Sequence, residues 1–341
     1  MFIEAFPDKN NLNLITVMKK ILKLVAYLVV AIVVIAIGIV CYVTLALPNV
    51  GNPENIKVEI TPQRLARGKY LTLNVSQCLD CHSAHDDSKF SSPLLDSTHL
   101  GMGGQVFGAN IGFPGNLIAA NLTPYNLKSW TDGEIFRAIT TGVKKDGSTI
   151  FPLMPWPYFS KMDKEDLYSI IAYIRTLKPI TASYPKSTVD FPLNIIMHTM
   201  PEKATLGTKP DTHDTVKYGG YLVQSAACQE CHSQDDKGKY LPGLQFAGGK
   251  EFKVNGNTLR TANISPDAAT GIGSWTKKMF IARFKACSDK SKAPTVGKKD
   301  FQTIMPWYQY SQMTEGDLAS IYAYLRTVKP VKNAVVKFVV D

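Results

Sequence analysis

The segment Cys78-Leu79-Asp80-Cys81-His82 recurs in the same form as Cys228-Gln229-Glu230-Cys231-His232. Two thiols three residues apart, followed at once by an imidazole, suit three kinds of site: a zinc knuckle, a redox-active dithiol or covalent haem attachment. Structural zinc needs four ligands, and no second Cys/His pair stands near either pentad in the sequence. A redox dithiol gives no reason for the histidine to recur. The pentads therefore favour haem attachment.

A methionine recurs with each pentad: Met154 lies 72 residues after His82, and Met305 lies 73 residues after His232, both in a Met-Pro-Trp sequence. Either methionine alone could simply fill a core, but the matched positions favour thioether ligation of iron opposite the histidine. We therefore predict two covalently bound haem c groups. The predicted site comprises four cysteines that attach haem and four residues that ligate iron: Cys78, Cys81, Cys228, Cys231, His82, Met154, His232 and Met305.

The pentads belong to a longer repeat, whose segments recur at offsets between 142 and 151 residues. The other matching pairs include Tyr70-Leu71 and Tyr221-Leu222, Gly103-Gly104 and Gly248-Gly249, Ala120–Pro124 and Ala262–Pro266, and Arg175–Pro179 and Arg326–Pro330. Each unit begins and ends with a predicted helix, and Thr61, Asp163 and Thr314 are predicted N-caps. Between these ends we find no convincing strand alternation. The sequence predicts two all-α domains, residues 58–180 and 215–332, joined by a linker at 181–214.

Residues 24–47 form a run of 24 positions without a charge, long enough at ~1.5 Å per residue to cross a bilayer as a helix. A cleaved signal peptide is the alternative, but its apolar region is usually only ~7–15 residues long. Cys41 lies within the run and is expected to face lipid. Met18, followed by two lysines and the apolar run, also resembles a start site, which makes residues 1–17 a candidate extension.

The charges on either side of this run predict its orientation. Lys19, Lys20 and Lys23 precede it, whereas Glu54 is the single charged residue among the nine positions from 48 to 56. The positive-inside rule then places residues 1–23 in the cytoplasm and the remainder on the periplasmic side of a bacterial inner membrane.

The charge is concentrated in the last third of the chain. Of the net charge of +10, residues 201–341 carry +7. A single segment, residues 277–299, contains eight basic residues and only one acidic residue, Asp289. The basic residues are Lys277, Lys278, Arg283, Lys285, Lys290, Lys292, Lys298 and Lys299. We predict that this segment docks an acidic redox partner while the first unit faces the donor; a solvated basic face is the alternative. No nucleic-acid partner is predicted.

Several further residues are candidates for supporting roles. Pro93 and Pro242 could supply the backbone carbonyls that accept the proximal imidazole protons. His85 and His99 have no counterpart in the second unit and are expected on the surface or beside the haem propionates. Cys287 is unpaired and is expected to pack. The tryptophans could donate to propionates or simply pack: Trp130, Trp156, Trp275 and Trp307.

In its two pentads, its repeated Ala-Asn segments and its two Met-Pro-Trp sequences, the chain resembles the class I cytochrome c superfamily. More narrowly, it resembles the multihaem cytochrome subunits of bacterial membrane-bound alcohol and gluconate dehydrogenases. The resemblance covers roughly residues 60–330 and includes Thr270–Thr276 (Thr-Gly-Ile-Gly-Ser-Trp-Thr). It implies an N-terminal helix that crosses a C-terminal helix in each domain, with Gly68 against Tyr173 and Gly219 against Tyr324. Those subunits usually carry three haems and a C-terminal anchor, whereas this sequence predicts two haems and an N-terminal anchor.

The leading functional hypothesis is an electron carrier without substrate chemistry of its own, because iron with both axial positions filled has no place for a substrate. A dihaem cytochrome c peroxidase is the alternative, and it would require one haem with an open or displaceable sixth position. A matching methionine in each unit argues against that enzyme. An electron-transfer subunit of a larger oxidoreductase shares the carrier's chemistry and is not separated from it by sequence.

Overall fold

The computed structural model describes residues 9–236 and 238–341, and its first element is the long helix α1 (Lys9–Ala46). Within α1, Thr16–Ala46 is long and apolar enough to cross a membrane, judged by length and composition. The helix begins well before the predicted uncharged run. Lysines mark the boundary of the uncharged run but do not end the helix, because they are good helix formers. The part of the predicted cytoplasmic segment that falls in residues 1–8 lies outside the described residues.

The first unit consists of short helices joined by ordered turns. Its helices are α2 (Pro62–Tyr70), α3 (Cys78–Cys81), α4 (Pro124–Leu127), α5 (Asp132–Thr141), α6 (Trp156–Phe159) and α7 (Lys164–Arg175). A π-helical turn at Leu71–Val75 extends α2. The predicted caps form: the Thr61 hydroxyl accepts from the backbone N–H of Arg64, and the Asp163 carboxylate accepts from that of Glu165. Both satisfy donors that the first helical turn leaves free.

The second unit places its helices at corresponding points along the chain. After the connecting helix α8 (Leu193–Ile196) come α9 (Thr215–Ser225), α10 (Cys228–His232), α11 (Lys277–Lys285), α12 (Trp307–Tyr310) and α13 (Glu315–Leu325). The Thr314 hydroxyl caps α13 by accepting from the backbone N–H of Asp317 at 3.0 Å. Two helices of each unit, α2 with α7 and α9 with α13, pack extensively on one another.

Each of these helix pairs crosses at a glycine. A Cβ atom on Gly68 would lie 1.9 Å from the carbonyl oxygen of Ser169, and one on Gly219 would lie 1.8 Å from that of Ser320. Real Cβ atoms do not approach oxygen so closely, so only glycine permits the two helix backbones to meet at this distance.

Tyrosines lie at both crossings. Tyr173 lies against Gly68, since its Cβ is 2.8 Å from where a Cβ of that glycine would stand. In the second unit the ring of Tyr324 lies against Gly220, beside Gly219, with its nearest carbon 3.0 Å from where a Cβ of Gly220 would stand.

The prediction of an all-α fold is confirmed only in part, because the structure is mainly helical but also contains small antiparallel sheets. The strands are β1 (Val106–Phe107), β2 (Gly115–Ile118), β3 (Thr188–Val189), β4 (Asp235–Asp236), β5 (Lys239–Tyr240), β6 (Glu251–Val254), β7 (Asn257–Arg260) and β8 (Phe338–Val339). They pair in the orders β1-β2-β3, β4-β5 and β6-β7-β8. Strands of two to four residues are too short for a period-two pattern to be visible in the sequence.

Most buried apolar side chains of the two units belong to one hydrophobic cluster. It includes Leu71 and Leu167 of the first unit and Leu222 and Leu318 of the second, all four fully buried. The segment predicted as a linker is also fastened to the first unit, where β3 pairs with β2 and the N–H of Lys209 donates to Asp163. The two units therefore pack against each other, and the connection between them is not a free tether.

Candidate haem-binding sites

Each Cys-x-x-Cys-His sequence forms a one-turn helix that begins at a residue with left-handed backbone geometry. Gln77 precedes α3 with φ of 52°, and Ala227 precedes α10 with φ of 50°. Residues other than glycine seldom adopt this conformation, which reverses the chain direction. Its occurrence at the same point in both units indicates that the reversal positions the cysteines and the histidine.

The imidazole of each pentad is held by a backbone carbonyl. His82 Nδ1 lies 2.7 Å from the carbonyl oxygen of Ala120, and His232 Nδ1 lies 2.8 Å from that of Ala262. An Nδ1–H that donates to a carbonyl leaves the Nε2 lone pair free for a metal. Burial lowers the pKa of both histidines, although the carbonyl contact opposes it, and the neutral imidazole is the form that coordinates iron.

These acceptors correct the sequence-based candidates, Pro93 and Pro242. The carbonyl of Pro93 instead accepts from the backbone N–H of Asp86 at 3.0 Å. The Pro93 carbonyl is used within the loop that directly follows the pentad. Each imidazole instead contacts a segment that lies 30 or more residues farther along the chain. The repeated Ala-Asn-Leu-Thr-Pro and Ala-Asn-Ile-Ser-Pro sequences contain the two carbonyls that contact the imidazoles, and their recurrence is the feature of the sequence that could have indicated this role.

The residue after each acceptor fixes its position. The side-chain amide of Asn121 donates to the carbonyls of Ile180 and Ala182, and that of Asn263 donates to the carbonyl of Val331. Each asparagine ties the acceptor carbonyl to the segment that follows the last helix of its unit. Rigid support of this kind sets the orientation of the imidazole ring.

The cysteines of the pentads form no disulfide, and all except the exposed Cys81 are partly buried. Burial raises the pKa of Cys78 to about 12 and that of Cys231 to about 11. Cys81 has exposed surface, yet protein surrounds its thiol and desolvation raises its pKa. Among residues 9–236 and 238–341, no cluster of three or more His, Cys, Asp or Glu side chains is placed to hold a metal ion.

Met154 and Met305 lie immediately before α6 and α12. Both side chains are half-buried and pack on the same hydrophobic cluster as Cys78 and Cys228. Free thiols, imidazoles with one nitrogen fixed and thioethers on a shared apolar core are the donor set that haem c requires, so these residues fit the group. The indole N–H of Trp156 donates to the carbonyl of Ile150 at 3.0 Å and is therefore not free for a propionate.

The two attachment helices lie close together. Gln309 of the second unit donates to Asp80 of the first, and Tyr158 of the first unit lies 3.5 Å from Glu230 of the second. These pairs occupy equivalent positions in the two units, as in an isologous interface. Tyr310 lies between the helices, where desolvation, together with the thiols of both pentads, raises its pKa well above the ordinary value.

A second reciprocal pair of hydrogen bonds also joins the two units. The hydroxyl of Tyr70 donates to Asp317 at 2.6 Å, and the equivalent Tyr221 donates to Asp166 at 2.7 Å. Asp166 is almost completely buried. Burial alone would raise the pKa of this carboxyl, but a bidentate ion pair with Arg67 lowers it overall, so it accepts as a carboxylate.

The remaining candidates, His85, His99 and Cys287, make other contacts. Both ring nitrogens of His85 contact backbone carbonyls, those of Asp80 and Ser92, so this residue is largely buried and not on the surface. His99 is exposed and pairs with Asp96 at 2.9 Å. Cys287 packs in a small buried cluster, as expected.

Comparison with known proteins gives one family match and several relatives. Residues 216–329 match the family model for cytochrome c. The alcohol dehydrogenase (quinone) cytochrome c subunit of Gluconacetobacter polyoxogenes is 26% identical over 281 residues, covering 78% of this chain and 56% of its own. The fructose dehydrogenase cytochrome subunit of Gluconobacter japonicus is 27% identical over 292 residues, covering 77% and 52%.

A third relative is nearer in length. The protein named diheme cytochrome c-type from Cereibacter sphaeroides is 23% identical over 270 residues, which are 75% of this chain and 83% of that protein. The chain thus spans little more than half the length of the dehydrogenase subunits it matches. The resemblance inferred from the motifs is confirmed.

Proposed function

We propose that this chain, which carries a cytochrome c domain and is homologous to the cytochrome c subunits of alcohol, fructose and gluconate dehydrogenases, is a dihaem protein that transfers electrons and has no substrate chemistry of its own. Its two cytochrome c-like domains are residues 58–180 and 215–332. The observation that carries the proposal is the matched geometry of the pentads: in both, the imidazole Nδ1 meets a backbone carbonyl and leaves Nε2 free.

The residues of the two sites would hold the haem groups and orient the side chains that ligate their iron. Bound haem would supply an iron that gains and loses one electron. Cys78 and Cys81, like Cys228 and Cys231, would hold it covalently through their thiols, and the imidazoles and thioethers would ligate its iron. The carbonyl that accepts from each imidazole keeps the ring from rotating, and the apolar core around each methionine would exclude water from the thioether. The adjacency of α3 and α10 supports electron exchange between the two sites.

We place the protein at the bacterial inner membrane. The helix α1 then crosses the bilayer with residues 1–23 in the cytoplasm, and both haem domains lie on the periplasmic side. The apolar character of Thr16–Ala46 and the lysines that precede its uncharged part support this arrangement. The homologous subunits support a role beside a dehydrogenase catalytic subunit as the donor.

Removing both cysteines of one pentad tests the haem count. The Cys78→Ala/Cys81→Ala chain is expected to keep one covalent haem after acid–acetone extraction, where the unchanged protein keeps two, because non-covalent haem is removed by this treatment. Haem per chain is measured as the pyridine haemochrome. The Cys41→Ala/Cys287→Ala chain is the control and is expected to keep two. Two covalent haems in the first variant would contradict the proposal.

The acceptor surface is smaller than the basic segment predicted from sequence. Lys285 donates to the carbonyls of Ser311 and Met313, and Lys290 donates to that of Leu94. Arg283 lies over the ring of Trp307, with 4.0 Å between its guanidinium carbon and the ring centroid. These three cations stabilise the fold. Within the basic segment, the exposed lysines whose side-chain ammonium groups have no hydrogen bond or ion pair in the structure are Lys277, Lys278, Lys298 and Lys299.

Reversing those four lysines to glutamate is expected to slow electron transfer to an acidic blue-copper protein by about tenfold or more at low salt and to remove its salt dependence. Stopped-flow mixing at several ionic strengths measures both. The control reverses four exposed lysines of the first unit and its flanking segments, Lys57, Lys69, Lys178 and Lys186, which changes the net charge equally. Equal slowing in both variants would show an effect of net charge alone.

A further inference from the structure

A loop of the first unit lies across the segment of the second unit that carries Met305. The loop comprises residues 84–95, directly after the first pentad. Its Phe90 N–H donates to the carbonyl of Pro294, and the N–H of Val296 donates back to the carbonyl of Ser88, both at 2.9 Å. Lys89 and Thr295 face each other in an antiparallel bridge between these contacts. The loop and the Met305 segment are therefore paired through their backbones.

Ser91 is the point at which this loop reaches the ligand itself. Its hydroxyl donates to the carbonyl oxygen of Met305 at 2.6 Å and accepts from the N–H of Trp307 at 3.0 Å. Its own N–H donates to the side chain of Gln302 at 2.7 Å. Ser91 is 4% exposed and has φ of 60°, so it is buried in a conformation that few residues other than glycine adopt.

The first unit has no equivalent contact at its own methionine. The N–H of Met154 donates to the carbonyl of Phe151, and its carbonyl accepts from the N–H of Trp156. Met305 shares the second of these local bonds, since its carbonyl accepts from the N–H of Trp307 at 2.8 Å, and the Ser91 contacts are added to it in the second unit. In the described part of the chain, no residue of the second unit donates to or accepts from residues 151–155. Unlike the reciprocal pairs at the domain interface, the Ser91 contact acts on one site alone.

We propose that Ser91 is a positioning residue that holds Met305 on the second haem, so that the first domain controls the strength of the second domain's sixth ligand. This inference rests on the proposed ligation by Met305. A methionine leaves iron when its loop moves away, and Ser91 restrains that loop on both sides of the ligand. The hydroxyl therefore slows the opening of the second haem and leaves the first unaffected.

The test compares the Ser91→Gly chain with the unchanged dihaem protein in detergent or nanodiscs. Glycine removes the hydroxyl and tolerates the positive φ, so backbone strain does not confuse the result. The variant loses the bond from the hydroxyl to the Met305 carbonyl and one of the two acceptors of the Trp307 N–H, and this loss is expected to raise the population with Met305 detached by roughly tenfold. Carbon monoxide should then bind the reduced second haem about tenfold faster, and the pH at which that haem loses its near-infrared Met–His band should fall by about one unit.

Controls separate this inference from the ligation on which it rests. Met305→Leu identifies which kinetic phase belongs to the second haem, and Ser88→Ala removes an exposed hydroxyl from the same loop. Equal rates in Ser91→Gly and Ser88→Ala would overturn the positioning role while ligation stands. Equal acceleration of both haems would mean general loosening and would also overturn it. If Met305→Leu leaves both haems closed to carbon monoxide, the ligation fails first.

A second, independent observation concerns the end of α1. The helix α8 and the following turn Met197–Thr199 pack on the last part of α1, and the His198 ring lies 3.4 Å from the carbonyl of Leu47. The stretch from Phe191 to Met200 contains no Asp, Glu, Lys or Arg. Phe191 is 78% exposed, which is unusual for a phenylalanine in water.

The position of this patch identifies what covers it. The hydrocarbon core of a bilayer takes about 20 helical residues, so the last turns of α1 emerge at the headgroup level. Exposed Tyr42 marks that level, as aromatic residues do at membrane interfaces. A segment that packs on the same turns must lie at the same depth.

We infer that Phe191 and Ile196 insert into the lipid interface and so fix the first domain against the membrane. The inference rests on the proposed crossing by α1. The test places p-benzoylphenylalanine at position 191 in nanodiscs and measures lipid adducts by mass spectrometry after irradiation. Position 27 in α1 is the positive control, and position 301, also an exposed phenylalanine, is the negative control. Adducts are expected at 27 and 191.

The controls distinguish two failures. Adducts at 27 but none above the level of 301 at 191 would overturn the contact and leave the anchor intact. A chain without adducts at 27 does not place α1 in lipid, and both the crossing and the contact then fail.

Discussion

The Gly219→Ala chain is expected to lose the fold of the second unit and the haem that we propose it holds. The new Cβ would lie 1.8 Å from the carbonyl oxygen of Ser320, and both atoms belong to rigid helix backbones. The clash is relieved only if α9 and α13 move apart along their whole contact. Overpacking of this kind costs about 3 kcal/mol or more, a large part of the stability of an ordinary domain.

Thermal unfolding and haem content report this effect, and the chain offers a matched control. Gly316 lies in the first turn of α13, and its nearest neighbour would be 3.9 Å from an added Cβ. Gly316→Ala is therefore expected to be neutral or slightly stabilising, since alanine favours a helix more than glycine. A Gly219→Ala chain with the melting temperature of Gly316→Ala would contradict the close helix crossing.

The sequence predicted those features that depend on local chemistry. The caps at Thr61, Asp163 and Thr314 form because each needs only a hydroxyl or carboxylate and the next turn of its own helix. Gly68 and Gly219 followed from family resemblance, since no local pattern requires a glycine inside a helix. The strands were missed because each is only a few residues long and gains its partner from elsewhere in the chain.

Features that depend on the packing of the two units could not be predicted. Tyr70 and Asp317 are 247 residues apart, and nothing near either residue indicates that they meet. Ser91 is an ordinary loop serine in the sequence, and its role follows only from the position of Met305 beside it. The carbonyls of Ala120 and Ala262 are an intermediate case. Their motif repeats visibly, but a backbone acceptor leaves no side-chain signature to assign its role.

Replacing Met154 or Met305 by leucine is expected to abolish half of the near-infrared band of Met–His ligation in the oxidised protein and to open one reduced iron to carbon monoxide. Leucine nearly conserves volume, so the core stays packed and lost ligation is the main change. The matched controls are Met162→Leu and Met313→Leu, one in each unit, whose side chains are fully buried core residues. These variants should keep the whole band. The same substitution is thus expected to remove part of the band at one methionine of a unit and to leave the band intact at the other. If Met162→Leu lost the band and Met154→Leu kept it, Met162 would be the ligand in the first unit and the assignment of Met154 would be wrong.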